Sequence, residues 1–130
     1  MSHWRKFTNN VLKNTDMVIF ERALSNLGYD VNHDIKRVQN AYGHANVDMA
    51  LTKDGRVLSI GFRKDKETDD LVMECDTWLT GVNESTFMNQ LAQQYNKENI
   101  VEKLKQTSQF SVTDIETNKK GEIEITVACL

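Results

Sequence analysis

Val47-Asp48-Met49-Ala50-Leu51, then Thr52-Lys53-Asp54-Gly55, then Val57-Leu58-Ser59-Ile60-Gly61-Phe62 is the stretch on which the fold reading turns. Val47, Met49 and Leu51 alternate with Asp48 and Ala50, the period of a strand with one buried face. Leu58, Ile60 and Phe62 repeat the pattern after the turn. Asp-Gly accepts the positive φ that a tight hairpin needs, so the two runs read as antiparallel arms. Lys64 to Asp70 is charged and makes the next turn. Leu71 to Cys75 returns as a third strand, and the three together form a meander.

Outward from this meander the signals alternate between helix and strand. Asn14-Thr15-Asp16 offers N-cap side chains, and Phe20, Leu24 and Leu27 recur at helical spacing before Gly28. The spacing predicts a helix from Asp16 to Leu27. His3 to Leu12 reads as a strand, and Tyr29 to Tyr42 as extended chain with loosely spaced Val31, Ile35 and Val38. Asn83 is a second N-cap. Phe87, Leu91 and Tyr95 line one helical face behind it, and Ile100, Val101 and Leu104 continue the stripe after a break near Asn96. Phe110 to Glu116, the turn Asn118-Lys119-Lys120-Gly121, and alternating Ile123, Ile125 and Val127 predict a closing hairpin. The order is β-α-β(meander)-α-β-β. It implies an α+β two-layer sandwich, an antiparallel sheet with two helices on one face, ferredoxin-like or related.

Composition narrows the function classes. The 130 residues suit a single domain, 1–130, large enough to bury a core. A net charge of −3 argues against a nucleic-acid coat, which needs a basic footprint. No run reaches membrane-spanning length, and the N-terminal residues lack a secretory apolar region, so a cytoplasmic protein is expected. Cys75 and Cys129 sit in apolar runs and read as buried, unreactive thiols. With no proline in the chain, Gly, Asn and Asp must make the turns.

Several residues invite chemistry. His3, His33 and His44 show no ligand spacing with each other or with the cysteines, so neither a metal nor a cofactor is expected. No serine lies in Gly-x-Ser-x-Gly, and the six glycines form no phosphate loop. The meander carries the one argued constellation. If Leu58, Ile60 and Phe62 face the helices, then Ser59, Gly61 and Arg63 face away, together with Asp48, Ala50, Glu74 and Asp76. This outer face reads either as a solvated surface with cross-strand charge pairs or as a polar recognition surface. In the second case Gly61 lets a ligand or partner approach the backbone, and Trp4, Tyr42 and Trp78 rim the site. His3 either bonds the backbone at a sheet end or joins that site as a titratable donor. The candidate binding residues are therefore His3, Trp4, Tyr42, Asp48, Arg63, Glu74 and Trp78, with none assigned to catalysis.

The same residues carry a resemblance. Met1-Ser2-His3-Trp4 is similar to the Met-Ser-His-aromatic start of a family of small uncharacterised proteins of cyanobacteria, algal plastids and other bacteria. Leu24-Ser25-Asn26-Leu27-Gly28-Tyr29 resembles its Leu-x-x-Leu-Gly-Tyr helix end. Ala41-Tyr42-Gly43 with Val47-Asp48-Met49-Ala50, Ile60-Gly61-Phe62-Arg63, and Val82-Asn83-Glu84-Ser85-Thr86-Phe87-Met88-Asn89-Gln90-Leu91 resemble its later segments. The chain departs at Trp78-Leu79-Thr80, where the family has paired aromatics before a glycine, and at Ala41, where it has Gly. The family is described as a domain of unknown function, so the resemblance implies no reaction. Members stand in some genomes beside ATPases of the AAA+ type, which implies an accessory role.

The leading expectation is a non-enzymatic binding or adaptor domain that works with a protein partner or by self-association. A small-molecule binder gripping an anionic or nucleotide-like ligand is second. A concave pocket holding Arg63 and an aromatic would favour that second reading, and a flat face the adaptor. An enzyme built on His3 and the acids ranks last.

Overall fold

The computed structural model describes residues 4–7, 10–40, 43–76, 80–106 and 110–129. Strands β1 (Trp4–Phe7), β2 (Asp30–Asn32), β5 (Met49–Lys53), β6 (Arg56–Lys64) and β7 (Leu71–Asp76) form a five-stranded sheet in the order β1-β7-β6-β5-β2. Every recorded pairing in it is antiparallel. The turn at Asp54-Gly55 takes positive φ at both residues, 52° and 78°, as the Asp-Gly signal predicts. The meander is thus present, and β6 runs longer than its apolar core requires.

Helix α1 spans Met17–Asn26. Asp16 caps it, its Oδ1 accepting from Val18 N at 3.0 Å and Ile19 N at 3.3 Å, which satisfies two of the first-turn donors. Gly28 follows at φ 92°. Helix α2 spans Glu84–Gln106 as one unbroken helix, with Asn83 Oδ1 accepting from Thr86 N at 2.9 Å. The break expected near Asn96 is absent. Asn96 has only modestly poor helix propensity, and the buried residues Tyr95 and Val101 on either side hold the helix through it.

Both helices rest on one face of the sheet. Phe20, Leu24, Phe87 and Leu91 share a core with Met49, Leu51, Ile60, Phe62, Met73 and Cys75. Phe20 meets Phe62 edge to face, with centroids 5.0 Å apart. Across the helix pair, Asp16 N donates to Tyr95 Oη at 3.1 Å, and Arg22 lies 3.5 Å from Glu98 and 3.4 Å from Glu102. The α+β reading, with two helices on one face, therefore holds.

Three features differ from expectation. The segment His3 to Leu12 is not one strand: β1 ends at Phe7 and a 3₁₀ turn occupies Asn10–Leu12. The Tyr29 to Tyr42 stretch holds β2 and then β3 (Arg37–Asn40), which pairs with β4 (Gly43–Asn46). The closing hairpin, β8 (Phe110–Thr117) with β9 (Ile123–Cys129), forms a two-stranded sheet of its own. It runs back along α2 from the helix's C-terminal end, and at the hairpin turn Gln93 Nε2 donates to Gly121 O at 2.8 Å.

Candidate functional site

The outer face of the sheet is not the solvated surface that strand alternation suggested. The β3–β4 hairpin folds over part of it and builds a second core from Val38, Val47 and Ala50, with Ile35 and Ala45 packed against it. Ala50, Gly61 and Glu74 lie in one cross-strand row. Glu74 is 5% exposed and Asp76 fully buried. Gly61 is not an approach for a ligand. A methyl group there would meet Val47 Cγ1 at 2.5 Å and Met49 O at 2.9 Å, so the chain's own Val47 already fills the space. A glycine in a strand marks a close approach, and here the approaching group is internal.

What remains open lies at the rim of that covered patch. Arg63 leaves β6 one residue before the strand ends. Its Nε donates to Glu74 Oε1 at 3.0 Å, diagonally across the β6–β7 pair. The arginine is 28% exposed and the glutamate 6%, so a buried carboxylate anchors a guanidinium that reaches toward water. Among the described residues the Nη groups of Arg63 have no recorded hydrogen-bond partner. Asp48 is fixed at both ends: its N donates to Phe62 O at 2.8 Å, and its Oδ2 accepts from Lys64 N at 2.7 Å. Lys36 Nζ donates to Asp48 O at 3.0 Å.

Around these two residues opens a cleft of about 540 Å³, lined by Asn46, Val47, Asp48, Arg63, Lys64, Asp65, Lys66 and Glu67. One wall is the end of the β3–β4 hairpin and the other is the turn after β6. That turn is braced from within. Asp65 N donates to Asp70 O at 2.8 Å, Asp69 N to Asp65 O at 2.9 Å, and Glu67 N to Asp65 Oδ1 at 2.8 Å. The charged walls therefore stand on a shaped loop. Among the described residues, three cations and three acids line the cleft, with no aromatic among them. Such a lining can hold a zwitterionic polypeptide surface through several charge-assisted hydrogen bonds.

Of the residues singled out from the sequence, Asp48, Arg63 and Glu74 come together here. Trp4 lies in β1 opposite Asp76, away from the cleft lining. His3, Tyr42 and Trp78 lie outside the described residues. Asn46, Lys64, Asp65, Lys66 and Glu67 were not singled out. For the last four the signal was the charge density of the Lys64 to Asp70 turn directly after Arg63; Asn46 had none. Among the described residues no group of three or more His, Cys, Asp or Glu is arranged to hold a metal ion. None of the described helices is long and apolar enough to cross a membrane.

The family model matching residues 23–126 is described as a protein of unknown function, DUF1257. The chain belongs to that family. The matched segment takes in the cleft, the β3–β4 hairpin, all of α2, only the last residues of α1 and the closing hairpin as far as Thr126; it begins after His3 and Trp4. Comparison with curated proteins finds no match, and comparison with solved structures finds none.

Cys75, on the helix-covered face, is a free thiol. Burial pushes its pKa up from 9.0 to about 11; a hydrogen bond with Thr80 opposes the rise, and the carboxylates of Glu84 and Asp76 add to it. A thiol held protonated in this way is a poor nucleophile.

Proposed function

We propose that the protein is a non-enzymatic binding domain that acts in a complex, gripping a protein partner in the cleft between Asp48 and the Arg63–Glu67 turn. The observation that carries this is the cleft's lining among the described residues: charges of both signs on an internally braced frame, open to solvent. Protein surfaces present both signs of charge, and complementary rims set the specificity and rate of encounter. An accessory role beside a larger ATPase assembly fits a domain of this size with such a rim.

The second reading, a small anionic ligand, draws support from two features. The cleft's size falls in the range of small-molecule sites, and the terminal nitrogens of Arg63 offer a planar fork to carboxylate or phosphate. Among the described residues the lining holds no aromatic of the kind that would favour this reading.

Native mass spectrometry of the protein taken from its own cells separates the two. A retained protein partner that is lost in Lys64→Glu/Lys66→Glu, with an unchanged melting temperature, supports the first reading. A retained small anion, lost in Arg63→Lys, supports the second. Partner retention indifferent to both variants removes the cleft from the function.

A further inference from the structure

Among the described residues, the β8–β9 hairpin has one edge protected by a bulge and one edge with no strand beside it. Strand β8 carries a register shift between Val112 and Asp114, a bulge that disrupts further pairing on its side. Strand β9 is regular over seven residues, Ile123–Cys129, and contains neither lysine nor proline. Among the described residues it pairs with β8 alone. The edge strands of the main sheet, β1 and β2, have only four and three residues. A long, regular strand rich in β-branched residues is a template for another strand.

The turn fixes which β9 groups face outward. Asn118 N donates to Glu122 O at 2.9 Å, so the even-numbered β9 positions bond inward to β8. Alternation then turns the N–H and C=O groups of Ile123, Ile125, Val127 and Cys129 away from β8. The side-chain pattern is equally informative. Within the hairpin Glu116 stands directly opposite Glu124, and both are exposed. Like charges facing each other across a sheet oppose pairing, so β9 cannot usefully gain another acidic neighbour beside Glu124.

We propose that β9 is a self-association edge, to which a second copy of this chain adds its own β9 antiparallel about a two-fold axis at Thr126. That register sets Ile125 opposite Val127 and Ile123 opposite Cys129, so all the outward backbone groups find partners. It sets Glu124 opposite Ala128, which adds no second acidic neighbour, and Thr126 opposite its own copy, a favourable cross-strand pair. The result is a four-stranded sheet whose half-buried face, bearing Ile115, Ile123 and Ile125, lies over the two α2 helices. This repeats between copies the helix-on-sheet layering found within each. The apolar residue Ile100 of α2, 44% exposed in the single chain, lies on the half of the helix along which the hairpin runs.

Sedimentation equilibrium of the full chain tests this. The wild type should approach twice the 14.9 kDa chain mass as concentration rises. Ala128→Glu places a carboxylate opposite each Glu124 and should weaken the dimer at least about tenfold. Adding Glu124→Lys to Ala128→Glu makes both pairs attractive and should restore it. Thr126→Cys should give a covalent dimer under mild oxidation, beyond any formed by the wild type, because paired positions in a non-hydrogen-bonded register lie within disulfide reach. A mass of 14.9 kDa at every concentration up to about 100 μM, or a dimer indifferent to Ala128→Glu with no cross-link through Thr126→Cys, overturns the proposal.

Discussion

The two faces of the central sheet are built from alternate residues of the same strands, yet they solve different packing problems. On the helix face Met49, Phe62 and Met73 form one cross-strand row, and large side chains fill the space below α1 and α2. On the opposite face the adjacent row is Ala50, Gly61 and Glu74. There the covering layer is a hairpin, not a helix, and Val47 comes within contact of the Gly61 backbone. A helix stands off a sheet by the length of its side chains, whereas a crossing strand settles directly on it. The first layer demands bulk and the second demands its removal. The lesson is that a glycine between two buried hydrophobics can report a covering strand as readily as an open site.

The first way to break the comparison is to remove bulk from the helix face. Phe62 is fully buried and in edge contact with Phe20, so Phe62→Ala should lose about 3–5 kcal/mol in urea unfolding. A loss below about 1 kcal/mol would mean that the helix layer collapses freely onto the sheet, which close packing forbids.

Next in size is adding bulk to the other face. Gly61→Ala should destabilise by about 1–3 kcal/mol through overpacking against Val47 and the Met49 carbonyl. Val47→Ala in the same chain removes the tightest contact, with Cγ1, and leaves those with Val47 Cβ and the Met49 carbonyl at 2.9 Å. The double variant should therefore show clear favourable coupling, measured as a double-mutant cycle. Strict additivity would mean that Val47 is not what excludes the methyl group.

At the rim the effect should be smaller. Arg63→Ala removes the guanidinium from the 6%-exposed Glu74 carboxylate, at a cost of roughly 1–3 kcal/mol. Arg63→Lys keeps a charge within reach and should cost less. Thermal unfolding of both variants checks the order. If the two are equally silent, Glu74 is held by its other contacts, and Arg63 is available wholly to a partner.

Much of this architecture was legible because period and turn chemistry agreed. Asp54-Gly55 between alternating runs, Asp16 and Asn83 at helix starts, and Gly28 at a helix end are local signals, and the structure uses each of them locally. The β3–β4 hairpin was not legible. Arg37-Val38-Gln39-Asn40 has a single buried residue, Val38, and its strand character comes from docking on β6 rather than from its own pattern. The candidate site inherited that gap. Asp48, Arg63 and Glu74 were found because alternation places them on one face, but the hairpin that buries half of that face was missing. Charge pairing was foreseen, while burial, which sets the strength of a pair, was not. In the same way the closing hairpin was foreseen as a hairpin, but nothing local says whether its edge joins the main sheet.

The finest test of the contrast is the one titratable thiol on the helix face. Burial raises the Cys75 pKa from 9.0 to about 11, so folding favours the protonated form. The sign follows from linkage: the unfolded chain releases its proton at lower pH than the folded chain does. The contribution is fully present below pH 9, and it is lost as pH climbs toward about 11. At pH 7 the ionisation of Cys75 should therefore have no effect on stability. Between pH 9 and 11 the wild type should lose stability more steeply than Cys75→Ala, whose own loss of packing is independent of pH. Denaturant melts at stepped alkaline pH resolve the difference in slope. Parallel alkaline limbs would show that water reaches Cys75. The helix-covered face would then be no drier than the face on which Arg63 meets Glu74.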